Sequence, residues 1–186
     1  MNSFFVAVAD LLEYPDSRWE SAVARCSRVI PRELHDAVSL FDRFVSRMDD
    51  LVLSDREELY VRTFELNPPC TLEVGYHIFG ETYKRGTFLA HLGREEAGHD
   101  LGQDRQLPDY LPVLLRLLAL LDDQDLRASL IETCMIPAIE ALIAAMKEKE
   151  NPYGDLLGAL LTALRSDRKE MLEGSTAPYP ELNGHV

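Results

Sequence analysis

The sequence predicts an all-α protein, a single-domain helical bundle. Three observations point there. Apolar residues recur at three- and four-residue spacing along most of the chain. The stretch 106–121, QLPDYLPVLLRLLALL, is apolar on nearly every side after Asp109 except at Arg116, as a helix enclosed by its neighbours is. No segment alternates with period two for long enough to read as a strand.

Each element has its own signals. Phe4, Phe5, Val8, Leu11 and Leu12 make a first helical stripe that Tyr14-Pro15 ends. Trp19, Val23 and Cys26 continue the period in a second helix, closed before Pro31. Leu34, Val38, Phe41, Val45 and Met48 form a third stripe, and residues 49–53 connect it to the next helix. Ser54 with Glu57 is a capping-box pattern, opening a helix through Leu59, Tyr60, Val61 and Phe64. Asn67-Pro68-Pro69 stops that helix, and the chain restarts at Cys70 or Thr71. Gly75, Gly80 and Gly86 then predict close packing or a break, since each costs a helix about 1 kcal/mol relative to Ala. Residues 93–105 are polar and glycine-containing, the pattern of a mobile loop. Asp109 is placed to cap the central apolar helix, with Pro112 in its first turn, where a missing N–H costs nothing. Residues 125–150 are strongly helical, and Pro137 is expected to kink or divide them. Asn151-Pro152 reads as a cap followed by a first-turn proline, and Tyr153, Leu157, Leu160 and Leu164 form the last stripe. The helical domain is assigned to 1–172, and 173–186 to a loose tail.

The chain has 186 residues, 46% apolar and 27% charged, enough for one core of ordinary composition. Its net charge of -13 argues against nucleic acid and against an anionic membrane surface, and suits a basic peptide. No apolar run reaches the roughly 20 residues of a membrane-spanning helix, so no membrane insertion is expected. The first residues lack the basic segment of a secretory signal. Cys26, Cys70 and Cys134 lie far apart and read as reduced thiols of a cytoplasmic protein.

Chemistry is sparse. His77, His91 and His99 stand near several carboxylates, but no HExxH or paired ExxH spacing offers a metal site. No GxSxG elbow, GxxxxGK[ST] loop or GxGxxG loop occurs. The expectation is therefore a binding protein with no metal and no cofactor. Tyr60 and Phe64 share one helix face, and Glu81 and Arg85 are placed i,i+4 in the favourable order for an ion pair. On spacing alone core packing is the favoured account of the first pair and a surface salt bridge that of the second, while acidic groups beside exposed aromatics would suit a peptide with an apolar stripe and a basic residue.

Four motifs in order, LLEYP (11–15), LYVRTFE (59–65), GETYKRG (80–86) and LPDYLP (107–112), resemble the NarJ-type chaperones. These belong with the TorD and DmsD types among the redox-enzyme maturation chaperones. The resemblance runs from about Phe4 to Leu164. It implies an all-helical cytoplasmic chaperone, not an enzyme. Its partner would be the N-terminal segment of the catalytic subunit of a molybdenum-containing oxidoreductase, most simply nitrate reductase, held ready for cofactor insertion. Molybdenum cofactor delivery proteins would be further partners, and both monomer and dimer fit. The residues it marks for peptide binding are Tyr60, Phe64, Glu65, Glu81, Arg85, Leu107, Pro108, Asp109 and Tyr110. Gly80, Gly86, Leu111 and Pro112 are marked as structural. Tyr60 and Phe64 would give apolar contact, with Glu65, Glu81 and Asp109 meeting positive charge. Two departures stand out: Tyr110 replaces the family's histidine in PDHLP, and ELNPPCTLE follows Phe64 where an Asp and a glycine- or arginine-containing loop are usual. The alternatives are a general helical adaptor and an enzyme whose ligands converge only in three dimensions.

Overall fold

A computed structural model describes residues 1–103, 106–146 and 151–175, and among them it contains helices and no strand. In chain order the helices are α1 (Asn2–Leu11), α2 (Trp19–Val29), α3 (His35–Asp49), α4 (Leu53–Tyr60), α5 (Val74–Phe79) and α6 (Tyr83–Glu95). They continue as α7 (Leu111–Leu120), α8 (Gln124–Leu130), α9 (Ile136–Met146) and α10 (Pro152–Ser175). The all-α bundle expected from the sequence is the observed architecture.

Helix α7 is the buried rod that its composition predicts, with Leu111, Val113, Leu114, Leu115, Leu117 and Leu118 inside the core. It packs along α1, whose Phe4, Phe5, Val8 and Leu11 are fully buried. Arg116, the one charge on the rod, is neutralised by that same neighbour. Its guanidinium donates to Asp10 at 3.0 Å and Glu13 at 2.9 Å, and to the Leu101 carbonyl at 3.0 Å. On the other side α3 lies against α10, where Phe44 and Tyr153 meet with ring centroids 5.8 Å apart. Asn151 caps α10 as expected, its Oδ1 accepting the Tyr153 N–H at 3.0 Å while its amide donates to Thr63 Oγ1 at 2.7 Å.

Several expectations are corrected. Helix α4 starts at Leu53 and no side chain caps it, so Ser54 and Glu57 form no capping box. The chain passes from α4 into a π turn, Val61–Glu65, and then a 3₁₀ turn, Pro68–Cys70. The helix expected over 125–150 is interrupted just before Pro137, where α8 gives way to α9. A π turn at Ile131–Met135 joins α8 to α9 just before it, and the wider turn accommodates the ring that an α-helical turn would set against the Thr133 carbonyl. The joined segment Gln124–Met146 is 23 residues long with a mean hydropathy of 1.6 over its most apolar window, long and apolar enough by composition to cross a membrane. Within the fold this segment is a core helix, with Ile131, Met135, Ala138, Ile139 and Leu142 buried in the bundle. Residues 93–95, expected in a loop, are the last turn of α6, and Leu101 beyond it is buried. Helix α10 continues through Ser175, past the expected domain limit. Residues 104–105, 147–150 and 176–186, which include most of the expected tail, lie outside the described residues.

Candidate functional site

The segment leading into α7 is tied to the segment leading into α5. The Val74 N–H donates to the Asp109 carbonyl and the Leu111 N–H to the Leu72 carbonyl, both at 2.8 Å, an isolated antiparallel bridge of Glu73 with Tyr110. Asp109 does not cap α7. Tyr110 occupies the cap position, and no side chain makes a cap bond there. The Asp109 carboxylate instead turns inward and is 0% exposed. Its Oδ2 accepts the Gly75 N–H at 3.1 Å and Arg85 Nε at 2.9 Å, and its Oδ1 accepts Arg85 Nη2 at 3.3 Å. Arg85 Nη2 also donates to Glu73 Oε2 at 2.6 Å. Arg85 therefore pairs with Glu73 and Asp109 and not, as its helical spacing predicts, with Glu81. A buried carboxylate needs such a bidentate, hydrogen-bonded cation. The paired carboxylates hold the guanidinium in its charged form, Asp109 more than Glu73.

Two glycines shape this latch. A Cβ on Gly75 would lie 2.6 Å from Asp109 Oδ2 and 3.0 Å from the Phe88 ring, so only glycine lets the carboxylate reach the backbone N–H. Gly80 has φ +59° and separates α5 from α6, the break expected in this region. Gly86 has open space around it, so neither expected reason for a glycine applies there.

Behind the latch sits an aromatic cluster. The Tyr60 hydroxyl lies 3.1 Å from the Leu12 carbonyl and 3.0 Å from the Tyr110 hydroxyl. If Tyr60 donates to Leu12, Tyr110 donates to Tyr60, and the tyrosine in place of histidine keeps a hydrogen-bonding group at that point. Burial pushes the Tyr60 hydroxyl up to about 12 and raises Tyr110 further. Tyr60 and Phe64 touch edge to face at 5.1 Å, and Phe64 meets Tyr153 at 4.8 Å. Tyr60, Phe64, Asp109 and Tyr110 are all buried, so they shape the site from within and offer no free surface. His77 Nε2 lies 2.7 Å from the Thr71 carbonyl and serves the backbone. Among the described residues no three His, Cys, Asp or Glu side chains converge as a metal site requires.

The predicted residues left at the surface are Glu65, Glu81 and Leu107, with Pro108 half-buried. Directly outside Tyr60 lies a surface the sequence reading missed. Tyr14 packs edge to face on Tyr60 at 5.6 Å while remaining 48% exposed. With Val61 and the 75% exposed Leu66 it lines a concavity of about 470 Å³ edged by Glu57 and Glu58. Glu65 belongs to the same surface: after desolvation, the negative charges of Glu57 and Glu65 are what raise the Tyr14 hydroxyl. Among the described residues Arg62 is the one basic residue lining the concavity. The arrangement offers apolar contact ringed by carboxylates. Its sequence signal was the LLEYP motif, whose Tyr14 reads from the sequence only as a helix stop.

No family model matches the chain. It is 31% identical over 175 residues to the nitrate reductase molybdenum cofactor assembly chaperone NarJ of Escherichia coli strain K12, covering 88% of this chain and 72% of that protein. It is 28% identical over 179 residues to the probable nitrate reductase molybdenum cofactor assembly chaperone NarJ of Bacillus subtilis strain 168, covering 92% of this chain and 94% of that one. The nitrate reductase-like protein NarX of Mycobacterium tuberculosis strain H37Rv matches over 154 residues at 31% identity, which is 81% of this chain and 22% of that protein. With the helical bundle and the ordered motifs agreeing with these relationships, the chain belongs to the family of NarJ-type nitrate reductase molybdenum cofactor assembly chaperones.

Proposed function

We propose that this protein is a dedicated chaperone for the catalytic subunit of a nitrate reductase-type molybdoenzyme. It binds the subunit's N-terminal segment in the cytoplasm and keeps it competent for molybdenum cofactor insertion. The observation that carries this reading is the relationship to the Escherichia coli chaperone across 88% of the chain. The surface of Tyr14, Val61 and Leu66 with Glu57, Glu58 and Glu65 supports it, because it suits an apolar segment that carries Lys or Arg. Apolar burial gives the affinity there, and the carboxylates add specificity and association rate. Tyr60 and Phe64 then support this surface from beneath, and the Arg85–Asp109 latch holds the bundle that carries it.

The test is calorimetric titration of the purified chain with a peptide of the client's N-terminal segment. Binding is expected, weakening as salt rises. Tyr14→Ala with Leu66→Ala is expected to raise Kd at least about tenfold, or 1.4 kcal/mol, in a still-folded protein. No binding of the peptide contradicts the chaperone reading. Undiminished binding by the double variant contradicts this surface.

A further inference from the structure

Arg62 stands between two hollows. It lines the Tyr14–Leu66 concavity, and it also lines a neighbouring cleft of about 860 Å³ that holds Asp50 and Asp55. Glu58 lines both hollows as well, and the two side chains form an ion pair at 3.8 Å. The pair is loose. Arg85 meets Glu73 at 2.6 Å and Arg116 meets Glu13 at 2.9 Å, each with a largely buried guanidinium. The Arg62 and Glu58 side chains are instead 69% and 76% exposed. The backbone accounts for the distance. Glu58 belongs to α4, whereas Arg62 stands in the π turn Val61–Glu65, where i→i+5 bonding turns side chains off the α-helical i,i+4 register.

An exposed pair of this kind adds little to stability and opens at little cost. Its place matters more than its strength. In the empty site the Arg62 guanidinium already satisfies one carboxylate of the ring that meets a client's positive charge. A Lys or Arg of the client that approaches Glu58 finds a like charge there and must displace it. The displaced guanidinium turns to the neighbouring cleft, where the Asp50 and Asp55 carboxylates stand. Glu57 lines the concavity alone and is not shared in this way. We propose that Arg62 is a specificity-determining residue of the client site. It is an internal stand-in for the client's basic side chain, released by Glu58 when that side chain arrives. Arg62 thereby limits how much affinity positive charge alone supplies, and apolar contact with Tyr14, Val61 and Leu66 decides which segment stays. This rests on the reading that the client segment binds the Tyr14–Leu66 surface.

The experiment titrates two peptides into the full-length protein by calorimetry. One is the N-terminal peptide of the nitrate reductase catalytic subunit from the same source, and the other has its Lys and Arg replaced by Gln. Arg62 and Glu58 are exposed, so replacing them leaves the core intact. Arg62→Ala is expected to tighten the basic peptide at least about threefold, the size of an exposed ion pair set free, and to raise its preference over the glutamine peptide. On a Glu58→Gln background the same substitution should give at most about a 1.5-fold gain, because no carboxylate is left to release. On a Glu57→Gln background the full gain should remain. Equal gains on the two backgrounds overturn the proposal, since they are the uniform effect of one positive charge fewer. An Arg62→Ala protein that binds the basic peptide no more tightly overturns it as well. Two other results reach further back and remove the proposal with its premise. A wild type that binds neither peptide contradicts the chaperone reading. Binding undiminished by Tyr14→Ala with Leu66→Ala contradicts the surface.

Discussion

The Arg85 guanidinium closes on the Asp109 carboxylate through two contacts, Nε to Oδ2 at 2.9 Å and Nη2 to Oδ1 at 3.3 Å, and that carboxylate is wholly buried. Removing one partner strands the other. Arg85→Ala is expected to destabilise the fold by about 3–5 kcal/mol, because an uncompensated charge remains inside. Arg85→Met combined with Asp109→Asn should recover at least half of that loss, since the amide oxygen still accepts the Gly75 N–H. Urea unfolding of the wild type and the two variants measures this, and a loss in the double variant as large as that of Arg85→Ala would remove the latch from the account.

Gly75→Ala tests the same latch from the backbone side. The added methyl group meets Asp109 Oδ2 at 2.6 Å, and the carboxylate has no freedom to withdraw while Arg85 grips it. A loss of about 1–3 kcal/mol is expected, although alanine is the better helix former. A stabilised Gly75→Ala protein would show that helix propensity outweighs the packing.

Tyr60 separates shape from contact. Tyr60→Phe removes one buried hydroxyl and is expected to cost about 1 kcal/mol, with client-peptide affinity unchanged. Tyr60→Ala opens the aromatic cluster and is expected to cost about 3–5 kcal/mol. Thermal unfolding read beside peptide titration distinguishes the two. Strongly weakened peptide binding by a fully stable Tyr60→Phe protein would make the hydroxyl a direct contact.

Glu96 gives the fold a pH dependence. It is 6% exposed, and its Oε1 finds no hydrogen-bond partner among the described residues. Burial first, and the Asp109 charge second, raise its carboxyl above its ordinary value of 4.5. The folded state therefore holds this proton more tightly than the unfolded chain does. The resulting stability is fully present below the unfolded value and is lost as pH rises through the higher folded one. Glu96→Gln is expected to flatten the stability profile above pH 4.5 and to stabilise the protein at neutral pH. Urea midpoints of both proteins at acidic and neutral pH check this, and parallel profiles would refute it.

Helices were legible in the sequence because their cause is local. The stripe Phe4, Phe5, Val8, Leu11 and the apolar run after Pro112, broken only by Arg116, need no distant partner to be read. The site was legible as a set of residues and not as a geometry. Asp109 stands where an N-cap belongs, but its partners Gly75 and Arg85 lie 34 and 24 residues away, and no local spacing announces them. Glu81 stands four residues before Arg85, but α6 begins only at Tyr83, so the helical pairing is lost; the buried Asp109 and the half-buried Glu73 take the guanidinium, since a buried charge must be paired and an exposed one need not be. Tyr60 and Phe64 share a face as expected. That face turned inward, and Tyr14 and Leu66 hold the surface above it.

The central claim is tested most directly by what the protein holds in its own cell. The tagged chain is purified from its source grown under anaerobic respiration, and the co-purifying proteins are identified by mass spectrometry, with the Tyr14→Ala and Leu66→Ala double variant as comparison. A large molybdoenzyme catalytic subunit is predicted to accompany the wild type and to be depleted from the variant. Its repeated absence, in cells shown to express that subunit, would contradict the account.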